Sequence, residues 1–174
     1  MSLQIYYKVC LIKMIDIKQA KDLVKRVLLK LGSKYSSDDA VNLIVGTMII
    51  ESRFKYFRQM NDGPARGFAQ LEINSVLDVI NNWLKFRPAM IGRCVHATMI
   101  PKSFFDKADK KDWEYLIETN FAAQVVFARL CYWRAPQKMP STMSGWAKYW
   151  KKWYNTELGA GEESEFIEQV SKYL

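Results

Sequence analysis

The chain has 174 residues, and its apolar share of 49% is sufficient for one domain with a single hydrophobic core. It carries 26 Lys and Arg residues against 18 Asp and Glu residues, a net charge of +8. This charge favours an anionic partner without choosing among cell-wall polymer, nucleic acid and acidic membrane surface. No run approaches the ~20 apolar residues of a membrane span, so we expect no transmembrane segment.

The cysteines and the histidine argue against a metal site or a disulfide framework. Cys10, Cys94 and Cys131 are odd in number, widely spaced and form no C-x-x-C pair. His96, the only histidine, follows Cys94 by two residues, and this spacing alone is a weak pattern for a metal site. Free, partly buried thiols and a core or surface histidine are the favoured interpretations. We expect no metal and no cofactor.

The start of the chain shows no secretory signal. Lys8 and Lys13 interrupt its apolar residues, and no small-residue cleavage site follows. Residues 1–15 have no clean periodicity and are interpreted as an arm or a short packed segment. We assign residues 16–174 to a single domain.

Helical periodicity begins at residue 17 and dominates the rest of the chain. Residues 17–31 place apolar side chains on one face and lysines on the other, which favours a packing helix with a solvated basic face. Strand-like alternation is nearly absent, and only residues 53–71 leave room for a small hairpin. The fold class is therefore mainly α. Further helices are predicted at about residues 38–52, 75–84, 88–95, 113–117, 121–133, 144–153 and 162–174.

The helix predicted near residues 144–153 carries an aromatic stripe interleaved with lysines. The stripe consists of Trp146, Tyr149, Trp150 and Trp153. A stripe at helical spacing is more often part of a core. If exposed, it could be a sugar-stacking wall, a membrane-surface helix or a nucleic-acid platform.

Residues 36–72 centre on one carboxylate, Glu51. Residues 36–39 carry short polar side chains able to cap a helix, and an apolar helix follows. Glu51 lies seven residues after Ile44 and three after Met48, so it projects near the buried face. Apolar surroundings disfavour the charged form and raise the pKa of a carboxyl group. A raised pKa is what a general acid working near neutral pH requires.

The order of short motifs around Glu51 resembles that of a known family. Glu51-Ser52 is followed one loop later by G-F-A-Q at residues 67–70, and much later by W-Y-N-T at residues 153–156. This set resembles the E-S … G-L-M-Q … A-Y-N-A-G pattern of soluble lytic transglycosylases and goose-type lysozymes. The longer segments G-P-A-R-G-F-A-Q-L-E at residues 63–72 and W-K-K-W-Y-N-T at residues 150–156 also resemble lysozyme-like proteins of tailed bacteriophages. This sequence departs from the pattern by Phe-Ala for Leu-Met and by Thr-Glu for Ala-Gly. The resemblance covers roughly residues 38–155 and implies a lysozyme-like, two-lobed helical domain with a substrate groove.

The resemblance also implies a reaction: cleavage of the β-1,4 bond between N-acetylmuramic acid and N-acetylglucosamine of peptidoglycan, with Glu51 as general acid/base. In lytic transglycosylases a single Glu acts as acid and then as base toward the muramic 6-hydroxyl. A hydrolase needs a second carboxylate, for which Glu72 and Asp62 are the candidates. Each also has a purely structural interpretation, Glu72 as a helix-start charge and Asp62 as a turn residue.

Four further residues are assigned to the substrate site by the resemblance. Ser52 is expected to orient Glu51 or to contact an acetamido group, although a plain helix-end serine is the alternative. Gln70 and Tyr154 are expected to line the groove, with Tyr154 either touching Glu51 or belonging to the core. Asn155 is expected to hold the closing loop by hydrogen bonds.

Two other classes of function stay open. A phage virion structural or injection protein with a lysozyme-like fold and little or no activity would carry the same motifs. A nucleic-acid-binding module is supported only by the charge and the Trp/Lys helix, so we expect no specific nucleic-acid partner. The expected partners are peptidoglycan glycan strands and other phage virion proteins. We expect synthesis in the cytoplasm, followed by incorporation into a virion or delivery to the cell wall or periplasm.

Overall fold

The computed structural model describes residues 15–155 and 159–174. Within these residues the protein is mainly helical, with nine α-helices and one small antiparallel sheet of two strands, so the predicted fold class is confirmed at this level. The arm predicted for residues 1–15 lies almost wholly outside the described residues, as do Thr156 and Glu157.

The helices follow the periodicity of the sequence closely. Those predicted at residues 17–31, 38–52 and 121–133 have the predicted bounds. The short helix α5 was not predicted, because six residues are too few to show a helical period. The helices are α1 Ile17–Leu31, α2 Asp38–Ser52, α3 Ile73–Asn82, α4 Pro88–Thr98, α5 Lys102–Lys107, α6 Lys110–Thr119, α7 Phe121–Trp133, α8 Met143–Trp150 and α9 Glu163–Val170. The strands are β1 Ala65–Arg66 and β2 Leu71–Glu72.

Two helices, α2 and α7, form the centre of the core. Both are apolar on nearly all sides, which is the pattern of a helix surrounded by other elements. α2 packs against α1, α7, α8 and α9, while α7 packs against α1, α3, α4 and α6. The Ser37 hydroxyl caps α2 by accepting the Ala40 N–H at 3.2 Å, and two acidic residues in the first turn complement the helix dipole. The buried environment of α2 extends almost to its last residue.

The hairpin lies directly beyond the C-terminal end of α2. Its strands pair Ala65 with Glu72 and Arg66 with Leu71, and the turn between them is the G-F-A-Q segment at residues 67–70. Glu118 of α6 accepts from Arg58 Nε at 2.8 Å and lies 3.9 Å from Arg66 Nε. Arg58 is largely exposed, so its ion pair with Glu118 contributes little to the stability of the fold.

No helix in residues 15–155 or 159–174 is long and apolar enough to cross a membrane.

Candidate active site

A cavity of about 1080 Å³ opens where the end of α2 meets the hairpin and the segment that follows α8. Asp62 is not among its lining residues. The other residues that were predicted to be catalytic or substrate-binding all line the cavity: Glu51, Ser52, Gln70, Glu72, Tyr154 and Asn155. Residues that are far apart in the sequence therefore share one concave surface, which is the usual form of a ligand site.

Glu51 occupies the last turn of α2 and is half-buried at the cavity wall. Its Oε1 accepts a hydrogen bond of 2.8 Å from Trp150 Nε1. Burial raises the pKa of Glu51 to about 7, while the Trp150 hydrogen bond acts to lower the pKa and the negative charge of Glu165 acts to raise it. Glu51 is therefore a carboxyl group that can both give and take a proton near neutral pH.

Ser52 links the end of α2 to the hairpin turn by hydrogen bonds. Its hydroxyl is buried and donates to the Phe68 carbonyl at 2.8 Å, with the Met48 carbonyl at 3.1 Å as the alternative acceptor. The same oxygen accepts the Phe54 N–H at 3.1 Å. Its hydrogen-bonding capacity is thus used by backbone groups, and no hydrogen bond joins it to Glu51 among the described residues. Ser52 acts on the site by fixing the turn next to Glu51.

Gln124 of α7 anchors the turn at residues 67–70 by hydrogen bonds. The Gln124 Oε1 accepts the Phe68 N–H at 2.9 Å, and its Nε2 donates to the Ile117 carbonyl at 2.8 Å. Gln70 has a left-handed backbone, with φ of 46°, and its side-chain Nε2 donates to the Gly67 carbonyl at 2.8 Å. Gln124 was not identified from the sequence, although a glutamine inside a mostly apolar helix is a signal for a buried hydrogen-bonding role.

Replacing Gly67 by Ala tests how tightly this turn is constrained. Gly67 has φ of 71°, which an L side chain rarely adopts, and an added Cβ would collide with the Gln124 side chain. We expect Gly67→Ala to lower the free energy of unfolding by about 1–3 kcal/mol, measured by urea denaturation. Gly92→Ala is the matched control, because a Cβ there meets no atom within 4 Å. Equal stability of the two variants would contradict the constraint.

Tyr154 joins the segment after α8 to the same turn. Its hydroxyl donates to the Ala69 carbonyl at 2.7 Å, and its ring stacks on Tyr132 with the ring centroids 5.2 Å apart. Among the described residues the hydrogen bond to Glu51 comes from Trp150, and a direct contact between Tyr154 and Glu51 stays a prediction. A π-helical turn, Lys151–Asn155, contains Tyr154, and such turns are frequent at functional sites.

Asn155 ends this π-helical turn and makes the kind of contact expected of a loop-holding residue. Its Oδ1 accepts from Lys151 Nζ at 3.0 Å. The same ammonium group donates to the Gly159 carbonyl at 2.8 Å. Lys151 thereby links residues on both sides of the segment 156–158.

The candidates for a second acid differ in position. Glu72 is exposed at the start of α3, makes no capping hydrogen bond with its side chain, and lines the cavity. Asp62 is exposed in the turn Met60–Asp62 with φ of 56°, outside the cavity lining. If a second carboxylate takes part in the chemistry, Glu72 is the better placed.

The aromatic stripe belongs mostly to the core. Trp146, Tyr149 and Trp150 are buried, which confirms the core interpretation for these residues. Trp153 is half-buried and lines the cavity, with its Nε1 donating to Gln137 Oε1 at 2.7 Å. The sequence predicts Trp150 as part of the stripe but not its position beside Glu51, since no sequence pattern pairs residues so far apart.

The cysteine and histidine side chains do not assemble into a metal site in the described part of the chain. No group of at least three His, Cys, Asp or Glu residues there could hold a metal ion. Cys94 is buried and His96 is exposed. Cys131 lines the cavity, but burial raises the pKa of its thiol to about 12, so it is neutral near pH 7.

No protein-family model, curated protein or solved structure matches this chain.

Proposed function

We propose that this protein cleaves peptidoglycan glycan strands at the β-1,4 bond between N-acetylmuramic acid and N-acetylglucosamine, with Glu51 as general acid/base. The observation that carries the proposal is the state of Glu51. Glu51 is half-buried on the wall of a large cavity, and one of its carboxyl oxygens accepts a hydrogen bond from Trp150. Burial raises its pKa to about 7. A carboxyl group that is still partly protonated at neutral pH is the proton donor that glycosidic cleavage needs.

The site supplies the main chemical requirements of this reaction. Protonation of the glycosidic oxygen by Glu51 allows the bond to break with an oxocarbenium-like sugar. The resulting carboxylate keeps the hydrogen bond from Trp150 and is then a base for the attacking hydroxyl. In a transglycosylase that hydroxyl is the muramic 6-hydroxyl of the sugar itself, whereas in a hydrolase water attacks instead and a second carboxylate orients it. The first route needs no second acid, and the second route would use Glu72.

The shape and charge of the site suit a polymer better than a small molecule. A smaller hollow of about 380 Å³ adjoins the main cavity, because Ser75, Cys131 and Trp153 line both. Exposed cationic side chains of Arg53 and Lys55 also line the main cavity, and the whole chain has a net charge of +8. This arrangement fits an extended, anionic glycan strand.

The lysozyme-like, two-lobed fold is part of the same proposal. It is supported by a buried helix that ends in the acid, a small hairpin that follows it, and later helices that close the cavity from the other side. Association with a virion, contact with other phage proteins and delivery to the wall or periplasm also belong to the proposal.

The first experiment is the clearing of a suspension of purified peptidoglycan. We expect the native protein to reduce turbidity at pH 5–7, where Glu51 retains a protonated fraction. Binding to the wall without any clearing would contradict the enzymatic proposal and favour a virion structural or injection role. Salt-sensitive retention of DNA without clearing would favour the nucleic-acid module.

The variants Glu72→Gln and Asp62→Asn separate the two chemical routes. Asp62 lies outside the cavity lining, so we expect Asp62→Asn to keep substantial activity. If Glu72→Gln also keeps substantial activity, the products should carry 1,6-anhydro ends, which mass spectrometry detects. If Glu72→Gln abolishes cleavage in a folded protein, the products should carry reducing ends, which are heavier by one water. Loss of activity in folded Asp62→Asn would contradict the assignment of Asp62 as a turn residue.

A further inference from the structure

We propose that Trp150 is a positioning residue for Glu51: its indole N–H holds one carboxylate oxygen and leaves the other free to meet the substrate. The role in catalysis rests on the proposed function, whereas the effect on Glu51 does not. Trp150 Nε1 and Glu51 Oε1 are 2.8 Å apart. Among the described residues, no hydrogen bond reaches Glu51 Oε2. The Trp150 N–H, as a single fixed donor, thus defines the orientation of the Glu51 carboxyl group in the cavity.

The indole of Trp150 is itself held firmly. It is almost fully buried, with 1% of its surface exposed, and packs against the Phe166 ring of α9 at a centroid distance of 5.4 Å. Gly161 lies so close that an added Cβ would be 2.6 Å from the indole Cη2. Trp150 is also the last residue of α8 before the π-helical turn. A donor restrained in this way keeps its direction as the substrate binds, which is the requirement for preorganised catalysis.

The hydrogen bond also opposes the effect of burial on Glu51. Burial disfavours the carboxylate, whereas the Trp150 N–H favours it, because the bond is stronger to the charged form. Trp150 therefore keeps Glu51 able to give up its proton. Without this donor, Glu51 would hold its proton to higher pH and would be a weaker acid during bond cleavage.

Helix α9 acts on Glu51 in the opposite sense. The negative charge of Glu165 raises the pKa of Glu51, while the neighbouring Phe166 packs on Trp150. Helix α9 thus supports the Trp150 indole through Phe166 and carries a negative charge, Glu165, that repels the Glu51 carboxylate. Within residues 15–155 and 159–174, the other titratable or charged groups around Glu51 are Tyr132 on α7, Tyr154 in the π-helical turn, and Arg53, Lys55, Glu72 and Cys131 in the cavity lining.

The decisive experiment is a titration of the Glu51 carboxyl carbon by ¹³C NMR in native protein and in Trp150→Phe. We expect the midpoint to rise by about one pH unit in the variant, the order expected for losing a hydrogen bond to a charged group. Trp146→Phe is the matched control, because Trp146 is a buried tryptophan of α8 that donates to the Pro140 carbonyl. An unchanged midpoint in folded Trp150→Phe, or an equal rise in Trp146→Phe, would overturn the proposal.

A second measurement does not depend on the folding of Trp150→Phe. In native protein the Trp150 indole N–H resonance should shift with the same midpoint as the Glu51 carboxyl carbon, and an N–H resonance that stays fixed through this midpoint would overturn the proposal.

A second pair of variants tests the influence of α9 on Glu51. Glu165→Gln removes an exposed charge and is expected to lower the Glu51 midpoint. Glu168→Gln is the matched control on α9, since Glu168 is exposed and lies 3.3 Å from Lys172 Nζ. If Glu165→Gln and Glu168→Gln shift the midpoint equally, the specific influence of α9 is contradicted.

The activity of the same variants separates this inference from the proposed function. A positioning role requires the alkaline limb of the kcat–pH profile to move with the NMR midpoint, to higher pH in Trp150→Phe and to lower pH in Glu165→Gln. A profile that stays fixed while the midpoint moves would overturn the catalytic role of Trp150. If the native protein does not cleave glycans, the proposed function fails, while the NMR shift alone decides whether Trp150 orients Glu51.

Discussion

Replacing Glu51 by Gln is expected to lower the rate of glycan cleavage by about 10²–10⁴-fold, the usual contribution of general acid–base catalysis. The amide keeps the size of the side chain and can still accept the Trp150 N–H, so the cavity should keep its shape. It has no carboxylic proton to donate to the glycosidic oxygen. The rate of release of soluble sugar from purified peptidoglycan measures the effect.

Two comparisons make the Glu51→Gln result specific. Glu168→Gln, an exposed change of the same chemistry on α9, should cleave at the native rate. Binding of Glu51→Gln to intact walls should match that of the native protein, because the positively charged surface is unchanged or slightly more positive. Full activity in Glu51→Gln would contradict the assignment of the acid. Circular dichroism of Glu51→Gln shows whether the variant is folded, so that a loss of activity through unfolding is recognised.

Glu51→Gln is also expected to stabilise the protein above neutral pH. The pKa of Glu51 rises from 4.5 to about 7 on folding, so the folded state favours the protonated carboxyl group. The resulting stability is fully present below pH 4.5 and is lost as the pH rises through about 7. Native protein should therefore lose on the order of 3 kcal/mol over this range that the neutral Gln variant does not lose.

This effect is measured as a difference between two proteins, which cancels the titration of other groups. Urea denaturation of native protein and Glu51→Gln at pH 4 and pH 8 gives the change in the free energy of unfolding. We expect near-equal stability at pH 4 and a clear advantage for Glu51→Gln at pH 8. An advantage of the same size at both pH values would mean that Glu51 is not a buried group with a raised pKa.

The helices could be predicted from the sequence because their information is local. α1 and α7 begin at capping residues, Asp16 and Asn120, and show a helical period or an unbroken apolar run between their ends. The predicted bounds are less accurate for α8. α8 starts after Thr142 and not at Ser144, because the Thr142 hydroxyl accepts the Gly145 N–H at 3.2 Å.

The residues of the site were predicted from motifs, but the contacts between them were not. Glu51 was identified because its helical phase places it near apolar neighbours, and the structure gives it the expected half-buried position. Its partner Trp150 is 99 residues away, and Tyr154 is 85 residues from the Ala69 carbonyl that it binds. Such pairs form only when α8 packs against the end of α2, and no local pattern in one sequence encodes that packing.

The most direct test of the central claim is mass spectrometry of the soluble fragments released from purified peptidoglycan. Native protein is expected to release disaccharide-peptide fragments cut between N-acetylmuramic acid and N-acetylglucosamine, and Glu51→Gln at least a hundredfold fewer. Their ends, 1,6-anhydro or reducing, then show which nucleophile follows Glu51. No release by native protein between pH 5 and 8, or equal release by folded Glu51→Gln, would contradict the account.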